Sequence, residues 1–321
     1  MLILSMIMCI SSNSWFLMWM GLEFNLVSFI LMLILNKMME WNVLMKYFLI
    51  QSLSSSLFVF LTMFNFILNM NFFSSIFLIL INVSLLMKLG IYPFHKWFPN
   101  IMNHLVWYNC LILSTFQKLA PLVILSYNFN WMFIMLIILM NYFEGCFMMS
   151  NFNSLRIIFS YSSISHSSWL LMGVILNYFL FYLYFMIYFY MMYLYFNFLY
   201  FYNLNNLFDL LFLIKEKVLN KFFLMFLFLS FMSFPLFVSF LTKWFLVNFY
   251  LKNELNFLIY LMLLMSLISF YIYLRLLMYF MTFTNLVIKF NYFHKSLLIF
   301  KVNYMGMMSL IIMFLLGLCL V

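Results

Sequence analysis

Four charged residues stand inside long apolar runs of this 321-residue chain: Glu23, Lys88, Lys118 and Lys243. Carboxylates and amines take up and release protons, and each is charged in only one of its two states. An ionised side chain near the middle of a bilayer costs about 2.5–3.5 kcal/mol on insertion scales. Charges kept at that cost point to proton or ion handling, or to pairing between neighbouring helices. A lysine near a helix end has the further option of reaching the lipid headgroups, whereas a glutamate is too short to reach far. Glu144 and Arg275 are second-rank members of the set, and His95 and His166 are additional proton-carrying candidates.

The lysines stand beside helix-breaking residues. Lys88 is followed by Leu-Gly-Ile-Tyr-Pro, so Gly90 and Pro93 interrupt its helix within about a turn and a half. Lys243 follows Pro235 by about two turns, and Lys118 precedes Pro121 in Gln117-Lys118-Leu119-Ala120-Pro121. Proline removes a backbone donor and collides with the preceding turn, freeing carbonyls at that depth. Broken backbone inside a membrane is tolerated only where protein or trapped water satisfies it. A lysine at such a break is a station on a hydrated path, or it accompanies a plain packing kink. His95 lies in the connection Pro93-Phe94-His95-Lys96-Trp97-Phe98-Pro99, and His166 in the polar run Tyr161-Ser162-Ser163-Ile164-Ser165-His166-Ser167-Ser168. Hydroxyls at that density carry water or hold helices together.

The elements that must position these groups are membrane helices. Of the residues, 69% are hydrophobic and 7% charged, far too little charge for a water-facing surface. Apolar runs long enough to cross about 30 Å of hydrocarbon recur along the chain, without the alternation of barrel strands. The expected fold is all-α: one polytopic transmembrane domain over 1–321 with about eleven helices, two of them broken. The spans fall at 2–20, 21–36, 44–64, 72–91, 105–126, 129–149, 156–173, 175–201, 222–249, 255–282 and 298–320. Glu23 stands near the start of its span on this layout.

The layout agrees with the positive-inside rule. One side receives Lys37, Lys46, Lys96, Arg156, Lys215, Lys217, Lys221, Lys289, Lys295 and Lys301, and the other receives only Lys252. The N-terminus is therefore expected on the matrix or cytoplasmic side and the C-terminus opposite. The net charge of +9 follows from this asymmetry, so no nucleic-acid partner is expected. The four cysteines are scattered through apolar stretches without ligand spacing, as buried structural thiols are. Metal motifs, phosphate-cradling loops and nucleophile elbows are absent, so no metal, no cofactor and no soluble substrate are expected. A single alanine beside abundant Phe, Met, Tyr, Asn and Ile indicates an AT-biased coding sequence, as in organelle genomes. The N-terminus has neither a signal-peptide nor a transit-peptide pattern.

An ordered series of motifs carries a family resemblance. It comprises Trp19-Met-Gly-Leu-Glu23-Phe-Asn25-Leu, Leu86-Met-Lys88-Leu-Gly90-Ile-Tyr-Pro93-Phe-His95-Lys-Trp97-Phe-Pro99 and Phe116-Gln-Lys118-Leu-Ala-Pro121, followed by Asn153-Ser-Leu-Arg156, Tyr161-Ser-Ser-Ile-Ser-His166, Phe234-Pro235-Leu-Phe-Val-Ser-Phe-Leu-Thr-Lys243-Trp244 and Tyr273-Leu-Arg275-Leu. Over about its first 280 residues the chain resembles the antiporter-like membrane subunits of mitochondrial respiratory complex I, NADH:ubiquinone oxidoreductase. The resemblance implies a proton path across the inner membrane, driven by quinone reduction elsewhere in the complex. Glu23 matches the family's glutamate and Lys88 its partner on a broken helix. Lys118 matches the connecting lysine, and Lys243 the lysine of the second broken helix. FMN, iron–sulfur clusters and ubiquinone are expected in other subunits. The implied partners are membrane-arm subunits and phospholipids such as cardiolipin.

The chain also departs from the family pattern. Phe234, Val238 and Ser239 stand where a second proline and a glycine are usual, so a milder break is expected there. Lys96 and Asn100 replace apolar and acidic residues, and Glu144-Gly145 falls where small residues are common, making Glu144 an addition or a compensating charge.

The chemistry implied is a switching ion pair. Burial disfavours the charged form of an ionisable group, and a nearby opposite charge favours it. Moving one proton against roughly 180 mV takes about 4 kcal/mol at ~2.3 kcal/mol per 100 mV. A swing of about three pKa units supplies that much. Two other roles fit the same residues: a structural subunit whose buried charges dock its neighbours, and a stand-alone cation/proton antiporter.

Overall fold

The computed structural model describes residues 1–35, 41–68, 74–209, 218–235, 237–252 and 256–282. Thirteen α-helices are found among them: α1 (Leu2–Ser11), α2 (Trp15–Leu35), α3 (Trp41–Leu68), α4 (Ser74–Leu89), α5 (Trp97–His104), α6 (Trp107–Ser114), α7 (Phe116–Tyr127), α8 (Trp131–Met149), α9 (Leu155–Leu176), α10 (Tyr178–Tyr202), α11 (Val218–Phe231), α12 (Val238–Lys252) and α13 (Asn256–Thr282). The chain is a multi-pass helical membrane protein. Six stretches, among them α2, α8 and the pair α6–α7, are long and apolar enough to cross a bilayer. Helices α4 and α11 are shorter because each ends at a break, and α9 is long enough but carries the serine run. The span expected at 298–320 lies outside the described residues.

The expected first span, 2–20, is corrected. The polar quartet Ser11-Ser12-Asn13-Ser14 ends α1 after 10 residues, about 15 Å and too short to cross. Ser14 restarts the helix, its hydroxyl accepting the Leu17 N–H at 3.4 Å as N-cap residues do. Helix α1 packs along α2, and Gly21 permits the approach: a Cβ there would stand 2.4 Å from the Cys9 sulfur. Glu23 is accordingly the ninth residue of α2, about 12 Å from its start and not at its end.

The described chain forms two compact units. One comprises Met1–Gly145 and Ser160–Ile175; the other comprises Cys146–Phe159 and the chain from Leu176 onward. In the first, α8 and the C-terminal part of α9 approach so closely that a Cβ on Gly145 would lie 2.9 Å from the Ser165 nitrogen. In the second, aromatic rings fill the interior. Tyr195 packs against Phe159 at 3.9 Å between ring centroids and against Phe231 at 5.5 Å, and Phe231 stacks on Tyr273 at 6.0 Å. Asp209 closes the connection after α10 by accepting the N–H groups of Asn205 and Asn206, both at 2.8 Å.

Candidate functional site

In each unit a helix ends in a sharp break, after α4 in the first and after α11 in the second, and these two breaks are made alike. After α4, Gly90 takes a left-handed φ of +65°. Its N–H returns to the Met87 carbonyl at 3.3 Å and that of Ile91 to the Leu86 carbonyl at 3.2 Å, a Schellman ending. After α11, Ser233 takes φ +57°. Its N–H reaches Ser230 at 3.1 Å, and that of Phe234 reaches Leu229 at 3.2 Å. The milder break expected around Pro235 is thus a full one, with a serine in the conformation that glycine adopts most cheaply. The Ser239 hydroxyl on α12 donates back to the Ser230 carbonyl.

The break at Gly90 is a close-packed piece of structure. A Cβ on Gly90 would meet the Phe98 Cβ at 3.0 Å and the Trp97 ring at 3.1 Å, so α5 folds back against the end of α4. The Trp97 indole N–H donates to the Met87 carbonyl at 3.2 Å. Pro93 itself is exposed. A third interruption, unforeseen from the sequence, separates α6 from α7 at Thr115. There the Leu111 carbonyl accepts both the Thr115 N–H at 3.1 Å and its hydroxyl at 2.6 Å. Pro121 lies within α7.

These breaks place two of the lysines together. Lys88 and Lys118, 6% and 2% exposed, line one cavity of about 20 Å³, and Asn25, Gln51, Phe98 and Gln117 also face it. That volume holds about one water molecule. The Lys118 ammonium donates to the Ser163 carbonyl at 2.9 Å and to its hydroxyl at 3.1 Å, and lies 4.8 Å from the centroid of the Phe98 ring. Gln117 donates to Asn25 at 3.2 Å across the cavity wall. Gln51 donates to the Lys88 carbonyl at 3.2 Å.

Glu23 is placed otherwise. It is half-buried and lines an open groove of about 540 Å³ between α2 and α3, with Trp19, Ser52, Ser55, Ser56 and Phe60. It still acts electrostatically on Lys88, so the carboxylate and the lysine are coupled without sharing a cavity. Lys243 belongs to the second unit. It is half-buried, in the second turn of α12, and Cys146 is the titratable group that acts on it.

His95 and Glu144 form a second group in the first unit with Tyr92 and Tyr161. Arg275 belongs instead to the second unit, where it donates to the Ser150 carbonyl at 3.4 Å. His95 is 4% exposed, its ring 6.0 Å from that of Tyr92 and 6.3 Å from that of Tyr161. Its Nδ1 has no hydrogen-bond partner among the described residues. Glu144 is half-buried on α8 and acts electrostatically on both His95 and Tyr161. His166 is buried on α9. The hydroxyls around it are engaged locally. Those of Ser163, Ser165 and Ser167 donate to carbonyls three residues back in α9 at 2.6–2.8 Å, and Ser168 does the same at 2.5 Å. The described cysteines also turn inward, Cys9 toward the Met18 carbonyl and Cys146 toward that of Met265, each at 3.6 Å.

Two residues that sequence reasoning does not single out complete the site. Asn141 on α8 accepts the Tyr92 N–H at 3.1 Å and donates to the Ile164 carbonyl at 2.8 Å and the Ser167 hydroxyl at 3.1 Å. Gln51 is the other. Asn141 is the one carboxamide of α8, and Gln51 opens the polar run Gln51-Ser52-Leu53-Ser54-Ser55-Ser56 of α3; those are the signals that could have marked them.

A proton-holding pair of buried lysines, two helix breaks made alike and a polar α9 can be set beside known proteins. The family model described as NADH:quinone oxidoreductase/Mrp antiporter, TM, matches residues 12–269. The chain belongs to this antiporter family. The matched region contains Glu23, Lys88, Lys118 and Lys243. Among members of the family, NADH-ubiquinone oxidoreductase chain 2 of Anopheles gambiae is 36% identical over 259 residues, which are 77% of this chain and 74% of the relative. A chain of respiratory complex I from Thermus thermophilus superposes with a TM-score of 0.85 at 19% identity, over 99% of this chain and 76% of that one. A chain of an archaeal membrane-bound sulfane sulfur reductase gives 0.81 at 14% identity, over 99% and 72%. At such identities the two structures share with this chain the antiporter-type fold.

Proposed function

We propose that the chain is a proton-translocating membrane subunit of respiratory complex I, carrying protons along Glu23, Lys88, Lys118 and Lys243 with intervening water. It sits in the mitochondrial inner membrane, its basic loops on the matrix side and its C-terminus on the intermembrane-space side, among other membrane-arm subunits and phospholipids such as cardiolipin. Helix α1, which does not cross, leaves the N-terminus on the side where α2 begins rather than on the matrix side expected from the eleven-span layout. The chain itself performs no redox step. The observation that carries this reading is the cavity shared by Lys88 and Lys118, a space for about one water lined by both residues. Glu23 supplies the charge that couples to Lys88 from outside that cavity. If the coupling strengthens and weakens during turnover, the proton affinity of Lys88 alternates with it, and the Lys118 amine, fixed by Ser163, receives what Lys88 releases.

The groove beside Glu23 favours a second reading, in which the charges only dock neighbouring subunits. Lys88→Met and Glu23→Gln separate the two. In the assembled complex in sealed membrane vesicles, the proton relay expects normal assembly with NADH oxidation retained and fewer protons moved per electron. The docking reading expects failure to assemble. Variants that assemble and pump at full stoichiometry would sink the relay. Na⁺- or K⁺-dependent transport by the isolated chain would instead indicate a stand-alone antiporter.

A further inference from the structure

In an unbroken α-helix the N–H of residue 92 would donate to the carbonyl of residue 88. Here α4 ends at Leu89, and each half of that missing bond has found a carboxamide. The Lys88 carbonyl accepts from Gln51 Nε2 at 3.2 Å, and the Tyr92 N–H donates to Asn141 Oδ1 at 3.1 Å. Proline does not impose this exchange: the Pro93 ring opposes the carbonyl of Leu89, one residue further on. Both carboxamides are buried, Gln51 at 7% exposure and Asn141 at 0%. They come from different helices, α3 and α8, and Asn141 is itself anchored to α9 through Ile164 and Ser167. Without them, a carbonyl and an N–H would be buried without partners, and each would be driven to find another.

From this exchange we infer that Gln51 and Asn141 are positioning residues that hold the helix break open, thereby setting where the Lys88 side chain stands in its cavity. The inference rests on the proton relay proposed above, and it adds a direction to each group. Gln51 must donate, and Asn141 must accept from the break while donating to α9. Replacement of Gln51 by methionine keeps its length and loses the donor, whereas histidine keeps an N–H.

The test uses the assembled complex in sealed vesicles carrying Gln51→Met, Gln51→His, Asn141→Leu or, as a control, Lys88→Met. Assembly, the proton-to-electron ratio and the pH profile of NADH oxidation are measured for each. Gln51→Met and Asn141→Leu should assemble, lower the proton-to-electron ratio at least twofold and displace the pH profile; Gln51→His should restore most of the loss. If Asn141→Leu does not assemble, Gln51→Met and its histidine rescue decide the matter alone. The inference is overturned if Gln51→Met pumps fully while Lys88→Met does not, or if methionine and histidine lose equally. It is also overturned if neither Gln51→Met nor Asn141→Leu assembles, which makes the carboxamides structural. Full pumping by Lys88→Met would remove the relay, and this inference with it.

Discussion

Among the described residues the Lys118 ammonium donates its hydrogen bonds to one residue, Ser163, through its carbonyl at 2.9 Å and its hydroxyl at 3.1 Å. A lysine that is 2% exposed and so held is not reaching for the headgroups.

Lys118→Met should therefore leave assembly intact and lower the protons moved per electron at least twofold. Ser163→Ala removes one of two acceptors, each hydrogen bond to a charged group being worth about 1.5–3 kcal/mol. Its effect should be smaller, a several-fold slower coupled turnover with the same pumping ratio. Measurement of NADH oxidation and proton uptake in the same vesicles checks both, and full pumping by Lys118→Met would exclude this lysine from the path.

Exchanging the residues at the two breaks should act in opposite directions. Ser233 holds φ +57°, and its hydroxyl has no hydrogen-bond partner among the described residues. A left-handed conformation costs a residue other than glycine about 1–2 kcal/mol. Ser233→Gly should thus stabilise the end of α11 by about 1 kcal/mol, slowing amide exchange there about fivefold where local opening is limiting. Gly90→Ala meets the same strain and adds the contact with Phe98, so exchange around the end of α4 should accelerate by more than that factor. Equal behaviour of the two variants would contradict the shared ending.

Helix α9 offers a test of orientation within one element. With 22 residues it is about 33 Å long, and the exposed residues Asn151 and Tyr178 flank it. A cysteine at Asn151 should be labelled from the matrix side by an impermeant maleimide, and one at Tyr178 from the intermembrane-space side. Labelling of both from one side would void the topology drawn from the basic loops, and exchanged sides would reverse it.

What could be read in the sequence was local. Gly90 and Pro93 announce their break within a few residues of Lys88, and the basic loops order the spans. Glu23 falls too near a helix end on the sequence layout because the punctuation at Ser11–Ser14 sits inside an apolar run. The interruption at Thr115 had no glycine or proline at its own position to announce it. The partners of the broken helix were beyond local reading, since Gln51 lies 37 residues from Lys88 and Asn141 lies 49 from Tyr92. Lys118 and Ser163, 45 residues apart, were both visible as unusual residues, yet nothing in either neighbourhood joined them.

The serines of α9 have a consequence for what can approach them. Ser163, Ser165, Ser167 and Ser168 each spend their one hydroxyl hydrogen on their own helix, leaving oxygen lone pairs facing outward. To its neighbours this stretch presents acceptors on two faces, Ser163 with Ser167 on one and Ser165 with Ser168 on the other, a negative potential with no formal charge. Two side chains bonded to it from other helices, Lys118 Nζ and Asn141 Nδ2, are nitrogen donors. Such a surface draws in cations and hydrogen-bond donors without the desolvation cost of a buried carboxylate.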